Sequence, residues 1–231
     1  LIGLLRKLSR KLFYDPLKMA RNNPHIRVGR SRLGKSFTVD FLASRRDVGF
    51  VAGDDCILYN QAFLESEQGY IEIGDRVYIG GNTQLISRSE IKIGNDVMIS
   101  WGCTVYDHDA HSIDYRCRME DQAGHLRNWE SGNLLKSKNW STVPTARIDI
   151  QDHAWLGFDV VVLKGVTIGE GAVIAARSVV TSDIPPWTVA AGCPARVVKQ
   201  IPLEMRKPGS GPLAVLGMAE RPMQIKETQK K

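Results

Sequence analysis

Residues 150–185 read, six at a time, IQDHAW (150–155), LGFDVV (156–161), VLKGVT (162–167), IGEGAV (168–173), IAARSV (174–179) and VTSDIP (180–185). Every block opens on Ile, Leu or Val. Those three residue types fill 56 of 231 positions, so six coincidences at one phase would arise by chance about twice in ten thousand. A period of six fits neither the 3.6-residue turn of a helix nor the alternation of a strand. It fits a chain that makes a short strand, turns through about 120° and repeats, so that three blocks close one triangular coil of a solenoid. Stacked coils then pair edge to edge at ~4.8 Å, with aliphatic ladders inside.

The same phase is read upstream at Val51, Ile57 and Phe63, at Ile73, Ile79 and Leu85, and at Ile93, Ile99 and Val105. The fifth slot is often small or β-branched: Val77, Thr83, Val97, Cys103, Ala154, Val160, Val166, Ala172 and Ser178. Gly follows the aliphatic slot at Gly74, Gly80, Gly94, Gly157 and Gly169, where it is expected to relieve the turn. Five coils are clear, and a sixth follows if VGRSRLGKSFTVDF (28–41) belongs. The expected organisation is a basic amphipathic helical cap over 1–27, a parallel β-helix over 28–200 and a tail over 201–231. Residues 106–147 break the rhythm as a long inserted loop, and such excursions usually carry function.

Charge is unevenly placed. Residues 1–46 hold 12 Lys+Arg against 2 Asp+Glu, and the remainder 19 against 23. The basic segment carries neither aromatic stacking platforms nor a reading helix, so nucleic acid is not an expected partner. Leu1, Leu4, Leu5, Leu8 and Leu12 give its first 20 residues an apolar side, which suits a cap over the first coil or a peripheral membrane contact. No apolar run approaches the ~18–20 residues of a membrane span. Cys56, Cys103, Cys117 and Cys193 are too scattered for a disulfide framework or zinc ribbon. Free thiols in the cytoplasm, at most at the inner membrane surface, are the expectation.

The segment AWLGFDVVVLKGVTIGEGAVIAARSVVTSDIPPWTVAAGCPARVVK (154–199), closing on AAGCPARVVK, resembles the left-handed β-helix acyltransferases. The nearest group is the galactoside and maltose O-acetyltransferases, with relatives in surface-polysaccharide synthesis (O-antigen and capsule). The resemblance covers roughly residues 50–200. It implies a left-handed helix, a homotrimer, acetyl-CoA as co-substrate and a saccharide acceptor that is free, nucleotide-linked or lipid-linked. AHSID (110–114) is similar to the family's T-H-P-L-D segment and marks His111 as catalytic. Counting twelve residues back from Gly94 marks Asn82, which would hold the acceptor or help polarise the carbonyl. The loop is one residue longer than in the galactoside enzymes, which makes His108 a second candidate. Cofactor contacts carry over to Trp155, Phe158, Ala176, Thr181, Arg196 and Lys199. Ser182 and Arg177 depart from the family's usual lysine and glycine. Lys164 joins Arg196 and Lys199 as a cation for the cofactor's phosphates.

The chemistry agrees with these residues. A thiolate leaves readily, but a sugar hydroxyl must lose its proton as it attacks, and imidazole suits that task near neutrality. The other ring nitrogen then needs a fixed acceptor, and Asp107 and Asp109 are the near candidates. Cys103 fills an inward slot and is read as packing. His108, His111, His125 and His153 offer enough nitrogen for a zinc site of the carbonic-anhydrase kind, but three of the four lie on one insertion, so no metal is expected. The alternatives are N-acetylation of an amino sugar or drug and, from another class, an inactive solenoid scaffold.

Overall fold

The computed structural model describes residues 14–132 and 135–206. Six coils stack into a left-handed parallel β-helix with three flat faces. The first face is built from Ile26–Val28, Phe50–Ala52, Tyr70–Ile73, Glu90–Ile93, Ile148–Ile150 and Thr167–Ile168. The second runs Arg32–Leu33, Ile57–Leu58, Tyr78–Ile79, Met98–Ile99, Trp155–Leu156 and Val173–Ile174, and a hairpin of Thr188–Gly192 and Ala195–Gln200 extends it. The third holds Thr38–Phe41, Gln61–Leu64, Gln84–Ser87, Thr104–Tyr106, Val161–Leu163 and Val179–Val180. Residues 28–41 therefore do form part of a coil.

The interior is the aliphatic ladder. Ile73, Ile93, Ile150 and Ile168 stack on the first face, Ile79, Ile99, Leu156 and Ile174 on the second, and Leu85, Val105, Val162 and Val180 on the third, all buried. Burying each contributes about 1.5–3 kcal/mol. The nine small-slot residues, from Val77 to Ser178, are buried as well.

One coil departs from the expected phase. Val51 and Phe63 are half-buried and Ile57 is exposed, while Ala52, Leu58, Ala62 and Leu64 point inward. The physical reason is strand alternation: the inward side falls one position later, on Ala52, Leu58 and Leu64, which leaves Val51, Ile57 and Phe63 on the outer side. The corner that follows is also shortened. Four residues separate Leu58 from Ala62, whereas six separate Ile79 from Leu85, although both pairs occupy matching places on the second and third faces.

The glycines also act differently from expectation. Left-handed φ values at the corners fall on Asp55, Arg76, Asn82, Asp96, His153, Asp159 and Arg177, at 55° to 63°, and on Gly102, Gly165 and Gly171, but on none of the five glycines expected to relieve the turns. Gly157 is required instead by close approach: a Cβ there would lie 2.6 Å from the backbone nitrogen of Ala176 in the next coil. At the first corner, side chains replace missing backbone pairing. The N–H groups of Arg30, Asp54, Asp75 and Asn95 donate to the carboxylate or amide oxygens of Asp54, Asp75, Asn95 and Asp152 at 2.6–2.9 Å.

Helix α1 (Pro16–Asn22) starts where Asp15 caps the N–H groups of Leu17 and Lys18, with Pro at the first position. Ala20 buries into the base of the core. The five leucines expected to form an apolar side lie outside the described residues.

The insertion is not a plain loop. It carries helix α2 (Tyr115–Asn128), opened by the Asp114 side chain accepting from Arg116 N–H. Its buried positions are Asp121 and Gly124, while Tyr115, Met119 and Leu126 are exposed. The coils resume in register across it, with Ile91 beside Ile148.

Candidate active site

Both candidate histidines leave the third face on the strand that ends at Tyr106, and their surroundings differ sharply. The backbone at Asp107 pins the insertion: its buried carboxylate accepts from Ser87 Oγ at 2.8 Å and from the N–H groups of Arg88 and Ser89 at 2.8 and 2.9 Å. His108 follows, its side chain fully buried between Tyr106 and Trp140. Its Nδ1 accepts from Ala110 N–H at 3.1 Å, which puts the ring proton on Nε2, 3.3 Å from Glu65 Oε2 without hydrogen-bond alignment. Burial and the carboxylates of Glu65, Asp107 and Asp109 push the Tyr106 hydroxyl up to about 12.

His111 stands in the open. Ala110 adopts φ 60°, turning the chain so that the His111 ring is 42% exposed. Its Nδ1 lies 2.7 Å from Oδ2 of Asp121, a carboxylate only 6% exposed on the inward side of α2. An N–H donated to that oxygen leaves Nε2 with its lone pair toward solvent. The acceptor is thus Asp121, neither Asp107 nor Asp109. Asp107 is engaged by its three donors, and Asp109 Oδ1 binds Lys164 Nζ at 2.7 Å. Lys138, with a side chain 3% exposed, completes the group 3.7 Å from Asp121 Oδ2. The rings of His111 and His125 lie 6.3 Å apart. Among the described residues, no three His, Cys, Asp or Glu side chains converge as a metal-binding group.

The residues marked for the cofactor fall in two places. Trp155, 50% exposed, lies on the second face, and Phe158 and Ala176 occupy the corner between the second and third faces. Arg196 and Lys199, both exposed, lie on the hairpin strand beside Ala191 and Val189. Phe158 stacks on Trp101 with centroids 5.6 Å apart and planes 8° from parallel, and the Arg177 guanidinium lies 5.7 Å from the Phe158 ring. Trp101 escaped the sequence reading, although it shares Phe158's corner position one coil earlier. Thr181 and Lys164 stand at the opposite edge of the third face. Lys164 is engaged by Asp109 there. Asn82 is exposed at the second corner with φ 58°, aligned with Gly102, Asp159 and Arg177.

Residues 147–182 match the family model described as bacterial transferase hexapeptide (six repeats). The galactoside O-acetyltransferase of Escherichia coli K12 is 34% identical over 57% of this chain and 54% of its own length. The protein WbbJ of the same organism, provisionally named a lipopolysaccharide biosynthesis O-acetyl transferase, is 31% identical over 58% and 62%. The structure of a hexapeptide-repeat containing acetyltransferase from Vibrio cholerae superposes with a TM-score of 0.52 at 26% identity, covering 85% of this chain and 86% of that one. The chain is similar to hexapeptide-repeat acetyltransferases along its coils. It spans little more than half the length of the curated relatives it matches. The family model ends at residue 182 and begins after the insertion, so Asp121 and Lys138 lie outside what it describes. Similarity to acetyltransferases invites a covalent reading of buried thiols, but Cys103 argues against it. Its Sγ donates to Gly157 O at 3.2 Å, and burial pushes the thiol up to about 11.

Proposed function

We propose that this chain is an acetyl-CoA-dependent O-acetyltransferase acting on a sugar hydroxyl in surface-polysaccharide synthesis, with His111 as the general base. The observation that carries the reading is the exposed imidazole whose Nδ1 is committed to buried Asp121. Bound acetyl-CoA supplies an activated acyl carbon with a good leaving group. The acceptor oxygen attacks that carbon as His111 Nε2 removes its proton. The C–S bond then breaks, and the imidazolium returns the proton to the departing thiolate. The products are an O-acetyl ester, CoA and a neutral imidazole, with no acyl-enzyme on the path.

Trp155, Phe158, Ala176, Thr181, Arg196 and Lys199 are assigned to the cofactor, and Asn82 to the acceptor or carbonyl. The relatives' names, a galactoside and a lipopolysaccharide transferase, favour a saccharide acceptor. A homotrimer fits the single chain's outer surface, where Ile57, Met98 and Trp155, 37%, 55% and 50% exposed, stack in one column with half-buried Tyr78 between the first two. The excess of cations in residues 1–46 suits an anionic or membrane-borne acceptor, and loss of liposome binding on deleting residues 1–20 is the test of that part.

His111→Ala is expected to lower kcat for acetyl-CoA-dependent CoA release with galactosides by a factor of about 10²–10⁴, with little change in the melting-temperature rise that acetyl-CoA gives. Retention of most of kcat, or its loss in His108→Ala while His111→Ala stays active, would reassign the base.

A further inference from the structure

The distal half of the insertion brings a lysine against the His111–Asp121 pair. Lys138 sits in KSKNW (136–140), a stretch with no apolar residue before Trp140, yet its side chain is 3% exposed. Its ammonium donates to the carbonyl of Ala110, lies 3.7 Å from Asp121 Oδ2 and 3.4 Å from His111 Nδ1, and stands 4.5 Å from the Trp140 ring centroid. A buried ammonium is retained at a large desolvation penalty, offset only by a paired carboxylate and satisfied donors. Every group that offsets it here borders the base.

Two arrangements of the ring compete for these contacts. In one, Nδ1–H donates to Asp121 and Nε2 keeps its lone pair outward. In the other, Nδ1 accepts from Lys138 and the proton sits on Nε2, where it blocks proton removal from an acceptor. The 2.7 Å contact to Asp121 against 3.4 Å to Lys138 selects the first. Lys138 enforces that choice by two contacts. It neutralises Asp121, so the carboxylate stays a fixed acceptor, and it clamps the Ala110 carbonyl, which holds the left-handed turn presenting His111. Its own donors then point at oxygens and the Trp140 face.

We infer that Lys138 is a positioning residue that fixes His111 in the tautomer with a free Nε2. The kinetic consequence rests on the proposed role of His111; the tautomer does not. The decisive experiment is ¹⁵N NMR of histidine-labelled full-length chain, above the ordinary imidazole titration range, on wild type, Lys138→Met and Lys138→Arg. The wild type should show His111 with protonated Nδ1 and unprotonated Nε2. Lys138→Met should lose that signature, with kcat for CoA release on galactosides falling roughly 10–100-fold and KM for acetyl-CoA within about twofold. Lys138→Arg, which keeps the charge, should recover part of the signature. Should Lys138→Met not fold, Lys138→Gln, which also removes the charge, must show the same loss. A His111 spectrum and kcat unchanged in Lys138→Met overturn the inference. Full activity in His111→Ala would instead sink the general-base reading while leaving the spectroscopic result intact.

Discussion

Lys164 Nζ and Asp109 Oδ1 lie 2.7 Å apart, joining the fifth coil to the segment that carries His111. Both partners are about one-third exposed, so the pair adds at most about 1 kcal/mol to stability. Its use is positional, since Asp109 also accepts His111 N–H through its carbonyl. Lys164→Met is therefore expected to lower kcat several-fold, about 3–10-fold, with KM for acetyl-CoA nearly unchanged. A tenfold rise in that KM at constant kcat would return Lys164 to the cofactor's phosphates.

Asn60 is fully buried, and neither its side-chain nitrogen nor its oxygen has a partner among the described residues. The equivalent interior slots of the other coils hold Phe37, Thr83, Cys103, Val160 and Ser178. Removing an unsatisfied buried amide recovers about 1–2 kcal/mol. Asn60→Val should accordingly raise the melting temperature by about 2–8 °C, read by calorimetry. A fall would show that the amide binds something internal, such as a water.

High pH should weaken the fold in a defined window. Burial pushes Cys103 up to about 11 and, with the nearby carboxylates, Tyr106 up to about 12. Both folded values exceed those of an unfolded chain, about 8.5 and 10. Between the unfolded and folded values the unfolded state binds fewer protons, so stability falls as pH rises. Denaturant midpoints should hold below about pH 8.5 and drop from there to about pH 12. Cys103→Ala should shrink the lower part of the drop, leaving the share of Cys56, whose thiol burial also pushes up, and leave transfer activity intact. At neutral pH a thiol reagent should find exposed Cys193 first, with Cys56 and Cys103 reacting only on unfolding.

The legible part of this chain was the part built by repetition. Ile150, Leu156, Val162, Ile168, Ile174 and Val180 share one phase because each meets its counterpart a coil away, so the sequence repeats the geometry. The phase slipped by one at Val51, Ile57 and Phe63 because this coil carries apolar residues on both sides of its strands, so composition alone does not say that Ala52, Leu58 and Leu64 face inward. Helix α2 stayed hidden because it is inverted, with Asp121 inside and Met119 and Leu126 outside, against the pattern that marks a surface helix. His111 was marked by its short motif alone. Its partners, ten and 27 residues downstream, were not, since only the folded insertion brings Asp121 and Lys138 together.

Asp107 offers the sharpest separation of insertion from prism. Its carboxylate is the acceptor for Ser87 Oγ and two backbone N–H groups, and its carbonyl accepts from Ala146 N–H and Thr145 Oγ1 at the returning end of the insertion. Asp107→Ala leaves the half-buried N–H groups of Arg88 and Ser89 without their acceptor, at about 1–3 kcal/mol each, while Ser87 Oγ keeps only Tyr70 O at 3.2 Å, all at one corner. The ladders of the other coils touch none of these groups, so the loss should be local. Hydrogen exchange should accelerate across the described parts of 108–147 while Ile150–Val180 keeps its protection, and transfer activity should fall as His111 loses its fixed place. Uniform acceleration through the coils would show instead that the insertion and the prism unfold as one unit, and that the carboxylate holds the whole stack together.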